Sequence, residues 1–406
     1  MHKRLIPVGA LLALVCPPLA AQVAVPGLRD TVGTVARLAT DAIDPAIDTV
    51  ADLPDRAQSL AQRRIERLSR LVRQQRALVD MDRDGQPARK GVLLISDPPA
   101  DLAQRLEGSG FREIGRERLA DIDVEVVQVA VPPGMGLSRA QDMLRDRLPG
   151  VEVGADNLLF PGGSVSTDRR AGARPVTAYG TIAGPVGVID GGAAGAVEAQ
   201  RGFATGAPVA GNHGSAVVSL LHGAGVRRVL VADVYGSDPA GGNALAIARA
   251  FDWLVGQGVR VVSISLVGPA NPLLARAIAG AQRRGTTIVA PVGNDGPAAP
   301  PAYPASFPGV LAVTGVDGRN RPLIEAGRAL HLDYAAPAAD MRALDMRGRR
   351  VPVRGTSFAV PLVAARTAAA GHANVRDALD REAVDLGPRG PDATYGRGLI
   401  CGPCRG

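Results

Sequence analysis

Aromatic side chains are scarce in this 406-residue chain: one Trp, five Tyr and six Phe make up 3% of it. So thin a set leaves few rings on which bases could stack, and no nucleic-acid-binding motif appears, so no nucleic-acid partner is expected. Lysine is nearly missing. Lys3 and Lys90 are the only two, and the net charge of +7 therefore rests on arginine; beside abundant alanine, this reflects gene base composition rather than a polyanionic partner. Past the first 21 residues no stretch reaches the run of about 18 apolar residues that a membrane-spanning helix needs, so no stable membrane anchor is expected. Internal repeats and low-complexity tracts are missing too. What is present is enough for a sizeable core: 46% of the residues are hydrophobic, and the length allows two domains plus a leader.

Cysteine is used three times. Cys16 falls in a segment where His2-Lys3-Arg4 precedes an apolar run, Leu5 to Val15, and Pro17-Pro18-Leu19-Ala20-Ala21 closes it with small residues. That pattern predicts a secretory signal peptide over 1–21 and a secreted or periplasmic protein. Val15 before Cys16 does not suit a lipoprotein anchor, and cleavage leaves Cys401 and Cys404. Their tetrapeptide, Cys401-Gly402-Pro403-Cys404, is spelled like a thioredoxin redox motif but lacks the strand before and the long helix after it. A small disulfide is expected instead.

Three glycine-flanked contexts carry the chemistry. Gly355-Thr356-Ser357-Phe358-Ala359-Val360-Pro361 reads as a serine presented at the start of a buried helix, with a proline where its missing N–H costs least. Val186-Gly187-Val188-Ile189-Asp190-Gly191-Gly192 reads as a buried strand ending in a carboxylate, the edge at which open α/β sheets hold site residues. Taken alone it is also a strand-end turn, and its glycines do not make G-x-G-x-x-G. Gly211-Asn212-His213-Gly214 opens an apolar helical run and carries a histidine in its first turn, a setting that suits a general base. His222, His331 and His372 lack such a context. The order Asp, His, Ser ties the three together.

Residues from about 180 to 400 resemble the subtilases, the subtilisin-like serine peptidases. Val261-Val262-Ser263-Ile264-Ser265-Leu266-Val267-Gly268-Pro269 is similar to the family's substrate-pairing strand, and Ile288-Val289-Ala290-Pro291-Val292-Gly293-Asn294-Asp295-Gly296 to the segment that supplies its oxyanion asparagine. Tyr303-Pro304-Ala305 and Tyr395-Gly396-Arg397-Gly398-Leu399 add further likeness. The resemblance implies an α/β fold with a seven-stranded, mainly parallel sheet and helices on both faces. It implies an endopeptidase acting on protein or peptide substrates through Asp190, His213 and Ser357, with an acyl-enzyme intermediate. Asn294 and the Ser357 N–H would bind the oxyanion, and Ser265, Leu266, Val267 and Gly268 the substrate. No cofactor is implied. Only 23 residues separate Asp190 from His213, which suggests a trimmed loop without a calcium site. Val267, where relatives often have glycine, should narrow the primary pocket and favour small residues such as Ala or Val before the cut.

The N-terminal part divides at 22–90, 91–160 and 161–178, ahead of a catalytic region over 179–406. In the first stretch Ile65, Leu68, Leu71 and Val72 are helically spaced with a basic opposite face, expected to be solvated. Asp80-Met81-Asp82-Arg83-Asp84-Gly85 copies the opening of a calcium loop, but Gly91 stands at the twelfth position, so a turn is expected. Residues 91–160 read as strand, helix, strand, helix, strand: Gly91 to Ser96, Asp101 to Gly108, Val124 to Val131, Ser138 to Leu148, Val151 to Phe160. This small α+β unit resembles a subtilase propeptide, which implies an intramolecular chaperone and inhibitor with its tail in the cleft. The polar linker from Pro161 to Pro175 is a place for self-processing. Two other readings remain open: a binding protein on an inactive protease fold, and a thiol-disulfide protein using Cys401 and Cys404.

Overall fold

The computed structural model describes residues 52–165, 174–175, 180–371 and 374–405. The leader over 1–21, with Cys16, and residues 22–51 lie outside the described residues.

Seven strands build the main sheet. Their order in space is Ala199–Gly202, Val229–Asp233, Val186–Asp190, Val261–Ile264, Thr287–Pro291, Leu311–Val316 and Tyr334–Pro337. Every neighbouring pair is parallel. Apolar runs such as Val-Gly-Val-Ile and Val-Leu-Val-Ala suit these positions because both faces are covered, so no strand needs a polar side. Alternation along each strand sends successive side chains to opposite faces. Val188, Val231, Val289 and Val313 pack with the helices Asn212–Gly223 and Val360–Ala370. Ile189, Leu230, Ile264 and Ile288 pack with the helices Ala244–Gly256 and Pro272–Arg283. From Val186–Asp190 the chain first builds outward to one side of the sheet and then crosses to Val261–Ile264 on the other. Asp190 thus ends the strand at which the order reverses, where such sheets open a crevice.

A second sheet lies against the outer side of the helices Ala244–Gly256 and Pro272–Arg283. It is antiparallel, ordered Val79–Met81, Pro87–Ser96, Val124–Ala130, Arg112–Leu119, with Glu152–Asn157 also pairing Pro87–Ser96. On one face, Leu93, Ile95, Val127 and Val129 form a core with Leu102, Leu137 and Leu144 from the helices Leu102–Leu106 and Leu137–Arg147. On the other, Leu94, Leu119, Ile122 and Val126 join the core of the large sheet. Asp252 accepts from the N–H groups of Asp121 (2.8 Å) and Ile122 (3.3 Å), and Arg249–Glu117 and Arg276–Glu152 ion pairs flank the contact.

Three expectations need correction here. The strand read from Gly91 begins at Pro87. Arg112–Leu119 is a strand that the strand-helix alternation omitted, because its charged residues break the apolar pattern; as an edge strand with an exposed face it tolerates them. The helix Asp52–Gln74 does not turn its whole basic face to water: Arg64 and Arg67 pair with Asp295 of the large unit at 3.3 and 3.0 Å. Its buried stripe includes Ala57 and Leu68, whereas Ile65 is 50% exposed. The Asp80 to Gly85 segment forms a turn, with Asp82 accepting from the N–H groups of Asp84 and Gln86.

Candidate active site

Asp190 and His213 meet because two glycines let their elements approach. The helix carrying His213 starts at Asn212, and a side chain on Gly214 would run into the Gly191 carbonyl. With that approach allowed, His213 Nδ1 lies 2.9 and 3.0 Å from the two oxygens of Asp190, whose side chain is 1% exposed. Asp190 Oδ1 also accepts from the Gly191 N–H at 2.8 Å, which fixes the carboxylate plane. The other ring nitrogen, His213 Nε2, is buried and finds no hydrogen-bond partner among the described residues.

Ser357 lies in a single 3₁₀ turn, Thr356–Phe358, that feeds the buried helix Val360–Ala370. Gly355 before it has φ 131°, a conformation that side chains disfavour. Ser357 Oγ is turned toward the Ser265 carbonyl oxygen at 3.1 Å, and Ser265 Oγ donates in return to the Ser357 carbonyl at 3.0 Å. The third link, Ser357 to His213, is therefore not made in this conformation. Asn294 accepts from the Thr356 N–H through Oδ1 at 3.0 Å, which turns its NH₂ group inward; Nδ2 is buried without a partner among the described residues. Buried groups left without partners, as these two are, are costly unless something reacts or binds beside them.

The chain itself runs past Ser357. Phe160 and Pro161 pair antiparallel with Val267 and Leu266, and the Gly162 N–H donates to the Ser265 carbonyl at 3.3 Å. The Ser357 N–H donates to the Gly162 carbonyl at 3.2 Å. One step earlier, the Leu159 N–H donates to Gly242 at 2.8 Å and Tyr235 Oη donates to the Leu159 carbonyl at 2.7 Å. Burial, with the Asp190 and Asp233 charges adding to it, pushes the Tyr235 phenol well above its ordinary value, so it stays a neutral donor. One step later, Ser164 and Val165 pair with Arg354 and Val353. The segment read as the start of a polar linker at Pro161 thus holds two short strands, Phe160–Pro161 and Ser164–Val165, with a bend at Gly162-Gly163 between them.

Ser265, Leu266 and Val267 form the wall that bonds to this segment, and Gly268, whose backbone bonds to Tyr303, continues it. Val267 lines a cavity of about 600 Å³ shared with Gly268, Asn294, Tyr303 and Arg64. Sequence reasoning missed Tyr235, Phe358 as a wall, and Asp295 as the seat of the N-terminal helix. Cys401 and Cys404 are joined in a disulfide and both are 1% exposed, packed into the core behind the sheet. Among the described residues no group of three or more His, Cys, Asp or Glu could hold a metal ion, and no helix is long and apolar enough to cross a membrane.

Comparison with known proteins points the same way. A family model described as the subtilase family matches residues 199–398, a stretch that includes His213, Asn294 and Ser357 and begins just after Asp190. The chain is 28% identical over 167 residues to the minor extracellular protease Epr of Bacillus subtilis, covering 39% of this chain and 26% of Epr. It is 29% identical over 214 residues to subtilisin Savinase of Lederbergia lenta, covering 50% of this chain and 77% of that protein. It spans about a quarter of Epr and about half of the alkaline protease of Shouchella clausii. Fervidolysin from Fervidobacterium pennivorans, a keratinolytic enzyme related to subtilisin, shares the fold with a TM-score of 0.62 at 19% identity, over 81% of this chain and 63% of its own. With a seven-stranded parallel sheet of this order and these sequence relatives, the chain belongs to the subtilase family.

Proposed function

We propose that this protein is a serine endopeptidase whose small α+β unit is a prodomain that holds the site closed until the chain is processed. The observation that carries the reading is the Gly162 carbonyl, which accepts from the Ser357 N–H beside the unpartnered Asn294 amide. A peptide carbonyl that accepts from the nucleophile's own N–H, with a second buried donor left unpartnered nearby, is in the position of a substrate about to acquire negative charge.

In the reaction, Ser357 Oγ rotates from the Ser265 carbonyl toward His213 Nε2, gives up its proton there and bonds to the scissile carbonyl carbon. Asp190 holds the Nδ1–H tautomer and balances the imidazolium. The Ser357 N–H and Asn294 Nδ2 bind the oxyanion. When the tetrahedral intermediate collapses, the C–N bond breaks and the leaving amine takes the proton from Nε2. Water then attacks the acyl-enzyme, with His213 again taking a proton, and Ser357 is regenerated with a free carboxylate as product. Export before processing belongs to the same reading, supported by the leader-like pattern of residues 1–21.

Wild type and Ser357→Ala, both expressed as full chains, test this. Wild type should lose the N-terminal unit, hydrolyse casein and accept a fluorophosphonate on Ser357, while the variant stays full length and inert. If both chains end at the same length and neither is labelled, the reading fails.

A further inference from the structure

The chain is clamped on both sides of Gly163. Leu159, Phe160, Pro161 and Gly162 are held by Gly242, Tyr235, Val267, Leu266 and Ser265, and Ser164 and Val165 by Arg354 and Val353. Between those clamps lies Gly163, joined to Gly162, whose carbonyl oxygen accepts from the Ser357 N–H at 3.2 Å.

The two glycines face different walls. A Cβ on Gly162 would sit 2.9 Å from Ser357 Oγ, an atom that must rotate in any case, and otherwise at ordinary distances of 3.5 Å from Asn294 Nδ2 and 3.6 Å from Pro291. On Gly163 it would sit 2.7 and 3.2 Å from two ring carbons of Phe358 and 3.3 Å from Ser357 Cβ. Phe358 is 0% exposed and its ring lies 5.2 Å, centroid to centroid, from that of His213. A ring packed so tightly has nowhere to withdraw.

We propose that Gly162–Gly163 is the bond this site cuts in its own chain, and that Phe358 is the specificity residue that restricts the position after the cut to glycine. This rests on the serine endopeptidase reading. Ser357 Oγ bonds to the Gly162 carbonyl carbon, its proton passes through His213 to the Gly163 nitrogen, and the C–N bond breaks. Water then releases Gly162 as a carboxylate and leaves Gly163 as a new amino terminus. The same wall applies to substrates in trans, which are peptides with glycine on the leaving side.

Amino-terminal sequencing of processed wild-type protein should begin at Gly163. Full-length Gly163→Ala should process about 10- to 100-fold more slowly, the range expected for forcing a methyl into a packed site. The processed wild-type enzyme should show a similar preference between the peptide spanning Leu159 to Val165 and its Gly163→Ala copy. The Gly162→Ala copy should be cut within a few-fold of the parent. Processed Phe358→Ala should cut the parent and the Gly163→Ala copy at similar rates. A Ser357-dependent cut elsewhere, or equal wild-type rates on the parent and the Gly163→Ala copy, overturns the inference while the endopeptidase reading stands. A cut that also appears in Ser357→Ala overturns both.

Discussion

Asp156 should make the docking of the small unit depend on pH. It lies on the strand Glu152–Asn157, is 2% exposed, and accepts from the Leu245 N–H at 3.0 Å in the first turn of the helix Ala244–Gly256. Burial raises its pKa from the ordinary 3.8 to about 6, with Asp238 adding slightly, against the lowering effect of that hydrogen bond and of Arg89 and Arg249. A carboxyl raised on folding prefers its protonated form in the folded chain. Its contribution is therefore fully present below about pH 4 and is lost as pH rises through 6, at a cost of about 3 kcal/mol by neutral pH. Asp156→Asn keeps an oxygen for the Leu245 N–H and never ionises. In a Ser357→Ala background, which prevents self-cutting, urea unfolding at fixed ionic strength should show the Asn variant gaining on its parent from pH 4 to pH 7 by about that amount. A flat difference, or a variant that loses ground as pH rises, would show that Arg89 and Arg249 hold the carboxylate ionised and would refute the reasoning.

Other predictions concern the site and its frame. Asn294→Ala should lower kcat by about 10²–10³ with KM little changed, because its amide meets charge that develops only in the transition state; a rise in KM alone would make it a substrate-positioning group. Gly214→Ala should push the His213 helix off the Gly191 carbonyl and cost about 10² in kcat, a loss that correct folding by circular dichroism should accompany. Replacing Cys401 and Cys404 together by Ser should cost about 2 kcal/mol in unfolding experiments, as expected for so small a loop, and leave kcat/KM unchanged. Loss of activity in a folded variant would bring the thiol-disulfide reading back.

Much of the large sheet was legible because its strands are covered on both faces. Val186–Asp190 read as an apolar run ended by an acid, and a run of that kind has few other stable homes. Asp190, His213 and Asn294 stood out because each adjoins a glycine where the backbone must turn or approach closely, and Ser357 because Gly355 stands two residues before it. The contacts that cross between the two units were not legible. Arg64 and Arg67 on a helix look the same in sequence whether they meet water or Asp295, and nothing in Arg112–Leu119 says that a hydrogen-bonded neighbour makes it a strand. Phe358 lies next to a residue that was singled out and Tyr235 does not, and the roles of both come from what the tail brings against them. The double glycine Gly162-Gly163 was read as part of a polar linker, although glycine also fits wherever two backbones must come within reach of each other.

Cutting the chain after Gly162 would not by itself open the cleft. The small unit is held chiefly by its apolar sheet face on the helices Ala244–Gly256 and Pro272–Arg283, and by Arg249–Glu117 and Arg276–Glu152, none of which involves the tail. The tail up to Gly162 keeps its main-chain bonds to Ser265 and Gly242 whether or not Gly163 follows. Cleavage therefore removes only the covalent tether, and release is a separate step governed by the interface. Asp156 sits inside that interface, so the same chain should hold its severed inhibitor more tightly below pH 5 than above pH 7. On the proposed reading, self-cutting and activation should be separable by pH: the first would depend on Ser357 and the fit of Gly163 against Phe358, the second on a carboxyl buried at the first turn of the helix Ala244–Gly256.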